Sequence, residues 1–291
     1  MANHWAIAVG ISQYLDMPPL PYAKRDAGAF HDYLAYNANI QKVYYLSDDS
    51  RDVVMDEGIT ASTQPTFDNL KQFLQIRFAT PFLTPEDTLW FFFSGHGLHY
   101  GNQDYLLPSD ADPEAPQGTA IAIPDLVHCL QRSGTDKIVL LLDACHTEDQ
   151  KFGQGFTDPE GVVTFYACDF GQASQTINQL RHGAFTYSLL EGLQTLCESP
   201  NVNLGHLKRY INVRLPQLNH QYNRPFQQLR ASTDRPLGLE EIAIPDATDI
   251  YQNSSELLRV QQTVQLPDRL GPSYSLTNTS VWNMAAGLGI M

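Results

Sequence analysis

Apolar positions along the chain follow two periods, and the switches between them mark out its elements. Residues 5–10 (WAIAVG), 42–46 (KVYYL), 88–93, 137–142 and 162–167 are short, nearly continuous apolar or β-branched runs. Runs of that length predict buried strands. Between them, residues 23–36 space Ala27, Phe30 and Leu34 as one face of a helix. Residues 66–78 do the same with Phe67, Leu70, Phe73, Leu74 and Phe78. Residues 124–132, with Pro124 near the start, 185–197 and 204–215 read as further helices. Apolar strands alternating with helices predict an α/β fold whose mainly parallel sheet is covered on both faces. After about Leu239 the signal fades. Residues 240–291 are rich in Ser, Asn and Pro and carry six acids against two arginines. They read as a C-terminal tail or linker behind a domain spanning 1–239.

Composition narrows what such a fold can do. Hydrophobic residues make up 43% of the 291, enough for a sizeable core. The formal net charge is −14. That excludes a nucleic-acid binder that neutralises phosphates and disfavours an anionic membrane surface, whereas cationic peptides would be attracted. No apolar run approaches the roughly 20 residues that span a bilayer. The N-terminus has no basic region ahead of its short apolar stretch, so no secretory signal is expected. Cys129, Cys145, Cys168 and Cys197 form no CxxC pair. No metal site is therefore expected, and free thiols in a cytoplasmic setting fit best.

Two predicted strands close on reactive residues. One leads into Ser94-Gly95-His96-Gly97, the other into Asp143-Ala144-Cys145-His146. Both segments read as small loops at the carboxyl ends of parallel strands, where ligands sit in open α/β sheets. His96 and Cys145 can therefore be neighbours although 49 residues separate them. An ordinary thiol is only a few per cent ionised at neutral pH. An adjacent imidazole can take its proton and pass it to a leaving amine. The N–H groups of Gly97 and Cys145 are candidates for stabilising the oxyanion. His99 and His146 are rival bases. A lone Cys or His at a strand end is usually structural; the pair at two strand ends is what points to chemistry.

The pairing of FFFSGHG with LLLDACH resembles the caspase-like cysteine peptidases, in particular the metacaspase and prokaryotic orthocaspase branch. In caspases the His precedes the Cys by about 50 residues, as here. The resemblance extends over residues 5–235 and includes AKRDAGA from Ala23 and HGAFTYSLLEGL from His182. It implies a three-layer sandwich with a mostly parallel six-stranded sheet and helices on both faces. It also implies a large portion at about 1–151 and a small portion at 161–239. The activity implied is that of a cysteine endopeptidase working through a thioester, with His96 and Cys145 as catalytic dyad.

By the same resemblance the substrate pocket would draw on Asp26, Ser94 and Asp143. Caspases that cut after Asp use arginines, and residues 166–176 contain none. Metacaspases cut after Arg or Lys using acids. A guanidinium suits such a pocket because it pairs with carboxylates in a bidentate manner. The implied partners are protein or peptide substrates with Arg or Lys at P1; the oligomeric state stays open, a monomer being favoured. Asp26 also reads as a helix N-terminal acid, and Asp143 as a residue that orients a loop. The chain departs from the family where Thr147-Glu148 replaces the usual Ser-Gly after the Cys-His motif. The family's calcium carboxylates are not plainly reproduced: Asp104, Asp110 and Asp112 follow the His motif but also read as turn caps. No cofactor is required on this reading, with calcium an open possibility. Lys151, in a Gly- and Pro-containing stretch at 148–160, is the candidate self-cleavage site. Two alternatives stay open: a non-catalytic caspase-like scaffold, and a signalling effector activated by a partner.

Overall fold

A computed structural model describes residues 3–38, 40–55, 58–146, 161–197, 201–233 and 238–245, with Cys145 and His146 described by their place in the sheet alone. In chain order the elements are β1 (His4–Gly10), α1 (Ala23–Asn37), β2 (Lys42–Ser47), β3 (Val53–Val54), β4 (Thr60–Ala61), α2 (Phe67–Arg77), β5 (Thr88–Tyr100), β6 (Gln103–Leu106), α3 (Pro116–Thr119) and β7 (Ile121–Ala122). They continue as α4 (Ile123–Gln131), β8 (Ile138–His146), β9 (Val162–Tyr166), β10 (Thr176–Ile177), β11 (His182–Gly183), α5 (Ala184–Leu196), α6 (Leu204–Gln221), β12 (Arg230–Thr233) and α7 (Gly238–Glu241).

The main sheet runs in the order β12-β9-β8-β5-β1-β2, with β6 and β7 attached beyond β5. The pairs β2–β1, β1–β5, β5–β8 and β8–β9 are parallel, and β12 is antiparallel to β9. Alternation along the strands makes both faces apolar, which is why the strands read as continuous hydrophobic runs. One face sets Ala6, Ala8, Trp90, Phe92, Val139 and Leu141 against α1, α5 and α6. The other sets Ile7, Val9, Phe91, Phe93, Leu140 and Leu142 against α2 and α4. The result is the three-layer α/β sandwich expected from the alternation of periods.

Besides several short strands, the sequence reading and the structure part in three places that bear on the site and the core. The Ser94–Gly97 and Asp143–His146 motifs are strand rather than loop. β5 loses its partner β1 after Gly10 pairs with Ser94, and β6 takes over that side from Gly97 onward. The motif therefore continues the strand past the end of β1, with β6 and β8 beside Gly97. Helix α6 does not stop before Pro216 but continues to Gln221. Proline removes a helical donor; burial of Leu218 and Asn219 beyond it holds the last turns in place. Finally, Leu239, Ile242 and Ile244 belong to the core on the α6 side. Backbone bonds from Leu204 N–H to Ile242 and from Ile244 N–H to Val202 fix them there. Packing thus runs past position 239.

Candidate active site

The parallel register of β5 and β8 pairs Ser94 with Asp143 and, two residues on, His96 with Cys145. Adjacent strands lie about 4.8 Å apart, so the two motifs stand side by side at the centre of the sheet. Gly97 follows opposite His146 in β8 and Leu106 in β6.

His96 is only 3% exposed and is held from the loop between β1 and α1. Its Nε2 lies 2.8 Å from the Pro18 carbonyl. A carbonyl only accepts, so Nε2 carries the hydrogen and Nδ1 is the basic nitrogen of the neutral ring. Its backbone N–H donates to the Tyr14 hydroxyl at 2.8 Å. The Tyr14 ring meets the imidazole edge-on, with centroids 4.7 Å apart. The glycine before His96 is what admits this contact: a Cβ on Gly95 would lie 2.6 Å from the Tyr14 hydroxyl and 2.7 Å from the Phe93 ring. His99, the rival base, falls on the opposite parity of β5 and is bonded through Nδ1 to the buried Asp104 at 2.7 Å.

The three expected pocket residues are all buried. Asp143 shares the parity of Leu141 and so faces α1 and α5. Asp26 comes from the first turn of α1. The two carboxylates converge on Gly183: a Cβ there would lie 2.6 Å from Asp143 Oδ2 and 3.1 Å from Asp26 Oδ2. Only a residue without a side chain fits between them. Every oxygen of the pair has a donor, and the Thr186 backbone N–H adds a further bond to Asp143. Asp143 accepts from Ser174 Oγ at 2.7 Å and from Thr186 Oγ1 at 2.6 Å. Asp26 lies 2.5 Å from His182 Nδ1 and accepts from the Gly183 N–H at 3.0 Å. Burial pushes the Asp143 carboxyl up to about 6, the Asp26 charge adds to this, and the two hydroxyls oppose it. Burial likewise raises Asp26, against the bond from His182.

The structure brings together His96 with Cys145 and Ser94 with Asp143 and Asp26, the residues singled out from the sequence, and adds Tyr14, Pro18, Ser174, His182, Gly183 and Thr186, to which the sequence assigned no role. His182, Gly183 and Thr186 belong to the visible motif HGAFT; nothing in it says which acid each donor meets. Lys151 and the rest of 147–160 lie outside the described residues. The acids considered for calcium do not gather. Asp104 is bonded to His99, Asp110 accepts from the Phe67 N–H, and Asp112 accepts from the Glu114 N–H. Among the described residues no group of three or more His, Cys, Asp or Glu side chains is placed to hold a metal ion. These residues do not fit a calcium site, and no step is assigned to one. Nor is any helix among the described residues long and apolar enough to cross a membrane.

No curated protein matches the chain. A family model described as the caspase domain matches residues 3–234. That span takes in every strand of the central sheet, both motifs and the helices that flank them, rather than a motif alone. On that evidence the chain belongs to the caspase-domain family of cysteine peptidases, whose substrates are proteins.

Proposed function

We propose that this protein is an endopeptidase of the metacaspase and orthocaspase type that cleaves after Arg or Lys, with Cys145 as nucleophile and His96 as base. The observation that carries the reading is the meeting of two rows across β5 and β8: His96 with Cys145, and Ser94 with Asp143 beside the buried Asp26. The Pro18 carbonyl leaves Nδ1 of His96 as the proton acceptor. On this reading Nδ1 takes the Cys145 proton, the thiolate attacks the scissile carbonyl, and the proton then passes to the departing amine. The N–H groups of Gly97 and Cys145 receive the oxyanion. Water then hydrolyses the thioester, with His96 again as base. A P1 guanidinium entering beside Asp143, Asp26 and Ser94 would neutralise two carboxylates whose burial is otherwise unfavourable.

Fluorogenic peptides differing only in P1 test this. Arg should be cut fastest, Lys next because an ammonium cannot match the planar fork, and Asp least. Cys145→Ala and His96→Ala should each lower kcat/KM for the Arg peptide by about 10³-fold or more, and the double variant should be little worse. Fastest cleavage of the Asp peptide would overturn the pocket assignment; undiminished turnover by Cys145→Ala would overturn the mechanism.

A further inference from the structure

The two acids come from elements far apart in the chain, α1 and β8, yet their four oxygens are held by a single stretch, residues 174–186. Ser174 and Thr186 donate to Oδ1 and Oδ2 of Asp143; His182 and the Gly183 N–H meet Oδ1 and Oδ2 of Asp26. This stretch contains the two-stranded β10–β11 ribbon, and Thr186 lies in the first turn of α5. The His182 ring is set for its task. The Arg25 Nε–H points at its Nε2 at 3.5 Å, and a guanidinium only donates. Nε2 is therefore the acceptor and Nδ1–H the donor to Asp26. His182, Thr186 and both acids are buried, and the ring is further packed against Tyr187.

A carboxylate oxygen offers two lone pairs. Donors on every oxygen, with the Thr186 backbone N–H as a further donor to Asp143, fix the plane of each carboxylate. We infer that residues 174–186 act as a specificity clamp, in which His182 and Thr186 are positioning residues that aim Asp26 and Asp143 at the P1 side chain. The inference rests on the reading of this site as a basic P1 pocket. Without the clamp, two like charges meeting at Gly183 would turn apart, and the planar match to a guanidinium would be lost. The clamp thus acts on discrimination between P1 residues rather than on the Cys145 chemistry.

The test compares kcat/KM for an Arg-P1 and a Gln-P1 fluorogenic peptide in the full-length protein. His182→Ala and Thr186→Val should each lower the Arg:Gln ratio by about ten- to a hundredfold, the loss expected for one charge-assisted hydrogen bond. His182→Asn, whose amide can replace the Nδ1–H, and Thr186→Ser should restore most of the ratio, which a purely structural defect would not allow. Should the buried variants fail to fold, Ser174→Ala, at a half-buried position, should still lower it. An Arg preference that survives in the folded variants would overturn the clamp and leave the pocket intact. Wild-type protein with no basic preference would overturn the pocket reading and the clamp with it.

Discussion

In the proposed basic P1 pocket, Asp143 is the residue on which stability and activity pull in opposite directions. Its carboxyl is raised from 3.8 to about 6 by burial and by Asp26. Between those values the folded protein binds the proton more tightly than the unfolded chain does. Its contribution to stability is therefore fully present below about pH 4 and lost as pH rises through 6. Above that the ionised form costs on the order of 3 kcal/mol. Asp143→Asn should accordingly flatten the fall in urea midpoint between pH 4 and 7. Binding of a P1 guanidinium needs the ionised form, so the Arg:Gln ratio of kcat/KM should rise with pH through a midpoint near 6. The Asp26 charge acts on Asp143, so ionisation of the neighbour broadens the rise. A ratio that is flat from pH 5 to 8 would show that Asp143 does not face the P1 side chain.

At the scale of elements, close approach of α1 to the end of β1 is what delivers Asp26. A Cβ on Gly10 would lie 2.6 Å from Ala27 Cβ, 2.7 Å from the Ala23 carbonyl oxygen and 2.9 Å from Lys24 Cα. Two of those three are backbone atoms, so relief requires the helix itself to move. Gly10→Ala should destabilise the protein by about 1–3 kcal/mol, as overpacking does. At roughly 2–4 °C per kcal/mol for a domain of this size, a calorimetric scan should show a clear fall in Tm. The Arg peptide should suffer more than the Gln peptide, because the displaced helix carries Asp26. An unchanged Tm would mean that α1 shifts without penalty. The other end of the same helix layer shows packing overriding propensity: α6 crosses Pro216 because Leu215 and Leu218 on either side are fully buried.

The whole molecule depends on covering two apolar faces of one sheet, and the C-terminal segment completes one of them. Leu239, Ile242 and Ile244 are at least nine-tenths buried against the α5–α6 layer. Burying side chains of this size is worth about 1.5–3 kcal/mol each, an upper bound because the unfolded chain already hides some of that area. A chain ending at residue 237 should therefore unfold at a lower urea concentration than one ending at 245. Coincident transitions would show that these three contacts contribute nothing to global stability. The formal charge of −14 suits a protein whose proposed substrates are cationic at the cleavage site, through attraction during encounter.

The hydrophobic periods alone determined the alternation of strand and helix, because each strand buries both faces and each helix one stripe. The α2 helix shows how local that information is: Phe67–Arg77 is bounded by Thr66, whose hydroxyl accepts from the Asn69 N–H at its start, and by Phe78 at its end. The FFFSGHG and LLLDACH runs likewise carry His96 and Cys145 on their face, since a reactive residue at the end of an apolar strand is visible in one dimension. The strands β3, β4, β6, β7, β10, β11 and β12 were not legible, because two to four residues are too few to display a period. The environment of the acids was decided by tertiary structure alone. His182 meets Asp26 across 156 positions of sequence, and Tyr14 meets His96 across 82. No local pattern encodes such distances. They follow from the strand order β9-β8-β5-β1, which brings the two motifs into register and folds residues 174–186 over the acids of α1 and β8.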